Sequence, residues 1–184
     1  MKPLKKDATY DDVRDVPEQF VAEMFDGELY ASPRPALPHT RASSLLSAEL
    51  IGPFDRGLNG PGGWVIMNEP ELHFANDVLV PDIAGWRRSR LPNVPAEPYL
   101  TLAPDWVCEV VSPSTETIDR GKKLRIYARV RVEHTWLLDP LRQTLEVLLL
   151  RSVRWAPLAI HEGRGKVRAP PFDALELDLG SLWI

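Results

Sequence analysis

Asp82, Glu109 and Lys123, with Tyr127 one helical turn further on, are the side chains of this sequence whose types and spacing could attack a phosphodiester. Such a bond is anionic and has a poor leaving group. Its hydrolysis is helped by a divalent cation that binds a phosphate oxygen, acidifies a bound water and neutralises developing charge. Magnesium, or manganese in its place, prefers oxygen ligands and takes one or two protein carboxylates, leaving other positions to water and phosphate. Asp82 and Glu109 could supply these, with the backbone carbonyl of Val110 as a further ligand. Lys123 would orient or deprotonate the attacking water, or stabilise the pentavalent charge. Tyr127 could fix Lys123 or touch phosphate.

Two strands and a helix must hold these groups. Residues 77–84 form an apolar run whose one internal acid is Asp82, and they read as a buried strand with a carboxylate near its end. Residues 105–112 are strand-favouring and bounded by Pro104 and Pro113. Alternation puts Val107, Glu109 and Val111 on one face, and Trp106, Cys108 and Val110 on the other. Glu109 is thereby committed to an apolar face, where a carboxylate must be protonated, paired or bound to a cation. Pro113 ends the strand, and Ser114, Thr115 and Thr117 are N-cap candidates for a helix running to about Val130. On that helix Asp119, Lys123 and Tyr127 fall nearly on one face. Each has a plain structural reading too: Asp82 as a turn residue after Pro81, Asp119 and Lys123 as an ordinary helix ion pair, Tyr127 as core. Glu109 resists such a reading best, because an acid between valine and cysteine weakens a strand that gives it no partner.

Four motifs in sequence order carry a family resemblance: Pro81-Asp82-Ile83, then Glu109-Val110-Val111-Ser112-Pro113-Ser114-Thr115, then Asp119 to Lys123 to Tyr127, then Trp136-Leu137-Leu138-Asp139-Pro140. Together they resemble the PD-(D/E)XK nuclease superfamily, and more closely its Uma branch of restriction-endonuclease-like proteins. The resemblance extends to Glu23–Leu29 and His39, similar to the family's opening hairpin and first-helix histidine. It implies an α/β (α+β) fold of the restriction-endonuclease type, a mixed, mostly antiparallel sheet flanked by helices. It also implies a magnesium-dependent endonuclease with DNA as substrate. Two departures stand out. The superfamily's usual lysine position, two after the strand acid, is Val111 here, so Lys123 on the following helix is the candidate, with Lys122 as its neighbour. Arg131–Trp136 departs from the family's usual turn and touches no expected ligand. A catalytically silent binding or assembly module on the same fold is the alternative from another class.

The remaining chain reads as support. Residues 1–12 are polar and expected to be loose. Val21–Phe25 and Glu28–Ala31 form a hairpin about Asp26-Gly27, with Glu23 mid-strand as a possible third carboxylate. After the stiff connector 32–38, apolar spacing predicts a helix over 39–51 that places His39 at its N-terminus. Residues 52–63 read as a loop, and 64–67 and 71–74 as strands leading in an antiparallel meander to the Asp82 strand. The proline-rich stretch 88–102 is expected to rim a substrate groove. Residues 145–150, 153–160, 165–168 and 175–179 complete an antiparallel set on which Trp155, Phe172 and Trp183 pack.

With 184 residues and 44% hydrophobic content, one domain is expected. One cysteine, Cys108, excludes an internal disulfide and a cysteine-rich zinc site, and fits a reducing compartment. No apolar run approaches the roughly 20 residues of a membrane span, so a cytoplasmic protein is expected. A net charge of -4 argues against a protein that coats nucleic acid. The charge is uneven, however: residues 1–80 carry a net -6 and residues 81–184 a net +2. Arg120 and Lys122, in the basic run 120–131, are candidate phosphate contacts. Cutting both strands of a duplex generally calls for two sites, from which a homodimer is expected.

Overall fold

The computed structural model, which describes residues 2–183, has two main sheets, and the central strands of the larger one are buried on both faces. A short helix, α1 (Tyr10–Arg14), precedes a hairpin of β1 (Phe20–Phe25) and β2 (Glu28–Pro33). Asp26 and Gly27 make its turn with φ of 51° and 76°, the positive angles expected of an Asp-Gly hairpin. The preceding segment is not loose. Leu4 N–H donates to Leu29 O at 2.7 Å and Ala8 N–H to Gly27 O at 2.8 Å, so this stretch gains backbone partners along β2 that its polar composition did not reveal.

Helix α2 spans Leu37–Leu50 and runs into a π-helical turn, Ile51–Asp55, within what reads from sequence as loop. Phe54 on this turn is buried, which gives the segment a reason to stay helical. Five strands follow: β3 (Trp64–Asn68), β4 (Leu72–Phe74), β5 (Asp77–Leu79), β6 (Ile83–Arg87) and β7 (Trp106–Val110). They do not form the expected meander. β3 pairs with β6, whereas the β4–β5 hairpin joins β1 and β2 in a four-stranded sheet of order β2-β1-β5-β4. The run expected to be one strand through Asp82 is therefore split. Pro81 offers no amide to a ladder, and at that point the chain passes from one sheet to the other.

The six-stranded sheet has order β10-β9-β8-β7-β6-β3, with β8 at His134–Asp139, β9 at Thr144–Arg151 and β10 at Arg154–Glu162. Its pairs are antiparallel except β7 with β8, which run parallel. A parallel pair needs a crossover, supplied here by the helical stretch 116–129, whose last part is α3 (Leu124–Arg129). The two helices lie on opposite faces. Trp106, Cys108 and Val110 pack with Ala42, Leu46 and Leu50 of α2, and Val107 packs with Ile126 and Tyr127 of α3, following the alternation of β7. A two-stranded ribbon of β11 (Lys166–Val167) and β12 (Leu177–Asp178) closes the α2 side, where Phe172 and Trp183 are buried. Trp155 instead packs on the α3 side, its indole N–H donating to Leu124 O at 2.8 Å. Residues 88–102 do not rim the cleft: their C-terminal end runs beside β4, His73 N–H donating to Leu100 O at 2.9 Å, and Tyr99 stacks on His73 at 3.8 Å. No described helix is long and apolar enough to cross a membrane.

Candidate active site

Where the two sheets meet, three carboxylates converge on one ammonium group. β1 brings Glu23, β7 brings Glu109, and the crossover helix brings Asp119 and Lys123. Lys123 Nζ lies 3.0 Å from Glu23 Oε1, 3.1 Å from Glu109 Oε2 and 3.7 Å from Asp119 Oδ1. All four side chains are less than a tenth exposed. Tyr127 donates its hydroxyl to Glu109 Oε1, so both oxygens of that carboxylate are held. Asp82, in the break between β5 and β6, accepts from Val110 N–H at 2.7 Å and faces His39 Nε2 at 3.2 Å. With Nε2 turned to Asp82, His39 Nδ1 is buried without a hydrogen-bond partner.

The local fold explains these positions. The segment Ile118–Lys123 is π-helical, a wider turn than an α-helix, and Asp119 and Lys123, four apart within it, share one face. Glu23 belongs to the inward face of β1 and also accepts from Val80 N–H at 2.9 Å, which ties the hairpin to the chain just before Asp82. Ser112 and Thr115, linked side chain to side chain at 3.0 Å, shape the turn between β7 and the crossover helix.

Burial pushes the Glu109 carboxyl well above its ordinary range, and the attraction of Lys123 only partly offsets this. Asp119 is raised to about 6 for the same reason. Burial alone would lower Lys123, but the carboxylates of Glu109, Glu23 and Asp119 outweigh it and keep the ammonium charged. One positive charge among four acids leaves an excess of negative charge that calls for protons or for another cation.

The cluster opens into a cleft of about 340 Å³ between two proline-bearing segments, 32–36 and 112–115. Of the residues singled out from sequence, Asp82, Glu109, Lys123, Glu23, His39 and Tyr127 come together, and Val110 contributes its peptide. Arg120 and Lys122 do not join them. Arg120 pairs with Glu116 and Glu146, and Lys122 with Glu28 at 3.2 Å while lying over the Tyr30 ring. Asp119, read from sequence as the helix ion-pair partner of Lys123 and given no catalytic or metal role, joins them at 3.7 Å from that lysine. Glu69 at the cleft wall carried no sequence signal; it sits at a corner of positive φ, its N–H donating to Asp82 O at 3.0 Å.

A parallel strand pair with its acid-bearing strand leading into a lysine-bearing crossover helix defines a restriction-endonuclease-like fold. Residues 8–180 match the Uma2 family, described as "Putative restriction endonuclease", and the chain belongs to that family. It is similar to a crystal structure described as a putative nuclease of the DUF820 group from Anabaena variabilis, at 23% identity and a TM-score of 0.75, over 95% of this chain and 97% of that one. Among curated proteins none matches.

Proposed function

We propose that the protein is a magnesium-dependent endonuclease acting on DNA, with manganese able to replace magnesium. The observation that carries this reading is the excess of buried carboxylate around Lys123, at the base of an open cleft. The donor set suits a hard cation, since it is built of oxygens and holds no thiolate. Among the described residues no group of three or more His, Cys, Asp or Glu is placed to hold a metal ion, so the proposed ion would be held by two carboxylates and completed by water and phosphate. Asp82 and Glu109, with the Val110 carbonyl, would hold the ion. Bound there, it would polarise a phosphate oxygen and acidify a water.

The other groups act through charge and position. Lys123 keeps a proton at Nζ beside Glu109 and is placed to orient the attacking water or to stabilise charge on the phosphate. Tyr127 fixes the Glu109 carboxylate. His39 fixes Asp82 through Nε2, while its Nδ1 is buried without a hydrogen-bond partner. Membership of a family described as restriction endonucleases supports DNA as the substrate.

Circular DNA tests this, because a circle has no ends for an exonuclease. Wild type with magnesium or manganese should open single-stranded circles and nick supercoiled plasmid. Asp82→Ala and Glu109→Gln, purified alongside, should do neither. Equal activity in all three proteins would point to a contaminant, and inactivity of the wild type on both circles would refute the endonuclease reading in favour of a silent module on this fold.

A further inference from the structure

We infer that the cleft takes one unpaired nucleic-acid strand and excludes an intact duplex; this rests on the nuclease reading of the same site. The reacting groups lie deep, with Glu109 1% and Lys123 5% exposed. A phosphate must enter the cleft of about 340 Å³ to reach them. Duplex phosphates lie on a stiff cylinder with charged neighbours on both strands, and a protein that grips it sets Lys and Arg along both flanks. Such flanks are not built here. Glu23, Glu69, Asp82, Glu109 and Asp119 line the cleft, against which Arg34 is the cation near its mouth and Lys123 the one at its base.

The cations of the crossover helix and of the turn after β8 are largely held within the fold. Arg120 and Arg142 both pair with Glu116, Arg129 pairs with Asp26 and Asp77, and Lys122 with Glu28. The cleft walls, in contrast, carry Pro33, Pro35 and Pro113, apolar faces suited to the flat face of an unstacked base. Leu37, one residue beyond the wall residue Ala36, is an 82% exposed apolar side chain at the start of α2. A single strand can turn its phosphate inward and lay its base on such a wall, whereas a paired base cannot leave its stack without an unpairing cost. A strand taken singly also needs one site, so cutting does not require two chains.

The test is fluorescence anisotropy of wild-type protein with calcium, using one labelled sequence as a single strand, as a blunt duplex and as a duplex with an unpaired flap, followed by magnesium to map cuts. Single strand and flap should bind at least tenfold more tightly than blunt duplex, with cuts inside unpaired segments. Arg34→Ala, which also gives up two exposed hydrogen bonds to Glu18 O, should weaken single-strand binding several-fold while lowering the melting temperature by no more than a few degrees. Duplex and single strand bound or cut within twofold of each other would overturn the inference, as would no binding to either. Selective single-strand binding with no cutting under any divalent metal would instead overturn the nuclease reading and leave the strand preference standing.

Discussion

An ammonium enclosed by three carboxylates gives up most of its hydration, and the carboxylates depend on it in return. Lys123→Met should therefore cost about 3–5 kcal/mol of stability in metal-free buffer, because it leaves buried acids without their cation. Urea unfolding would measure this, and a loss below about 1 kcal/mol would show that the acids are already neutral. Asp119 carries a pH signature. Its carboxyl is raised from 3.8 to about 6 by burial, with Lys123 opposing. Between these values the folded chain holds a proton that the unfolded chain releases, so stability is greatest at the acid end of the window and falls as pH rises through it. Glu109, also raised, extends the decline to higher pH. Urea midpoints measured across that window in EDTA should fall in wild type and fall less steeply in Asp119→Asn. Parallel slopes would assign the proton to another acid.

Among the elements, the crossover helix decides the site, and its π-helical turn is the part that composition conceals. Gly121 lies in that turn, with nothing within 4 Å of where a Cβ would sit. Gly121→Ala should be tolerated and should raise stability by about 0.5–1 kcal/mol, read as a higher melting temperature. Deleting Gly121 should do the opposite. The deletion removes one residue from the wide turn between Asp119 and Lys123 and so shifts the reach of Lys123 toward Glu23 and Glu109; the proposed cutting should be lost while the far-ultraviolet signal persists. The contrast shows what a sequence can express. Glu109 was legible because an acid between Val110 and Cys108 on a buried strand demands a partner, and the limits of that strand because prolines bracket it. The π turn was not, since i to i+5 bonding alters no residue type. The fate of Arg120 was equally hidden: its charge announces a partner but does not say that the partner is Glu146, 26 residues on.

At the scale of the whole molecule, two sheets share one boundary and a few residues keep them in register. Arg129 on α3 reaches Asp26 and the buried Asp77 of the four-stranded sheet. Within the larger sheet Gly85 sits between Trp64 and Trp106, where an added Cβ would approach their rings to 3.3 Å and 3.2 Å. Gly85→Ala should cost about 1–3 kcal/mol by forcing both indoles to shift, and a melting curve would reveal it. Unchanged melting would mean that the aromatic layer around Phe172 has slack. The pairing of β3 with β6 and the transfer of the β4–β5 hairpin to the other sheet escaped local reading because both are choices between distant partners of similar apolar pattern. That long-range assembly matters for the order in which the chain is made. Glu23 leaves the ribosome 100 residues before Lys123, and β8, the parallel neighbour of β7, follows later still. A nascent chain therefore carries its first acid long before the lysine that completes the cluster. The cluster is thus completed only after translation has moved well past the hairpin that supplies Glu23, and its chemistry cannot begin on a half-made chain.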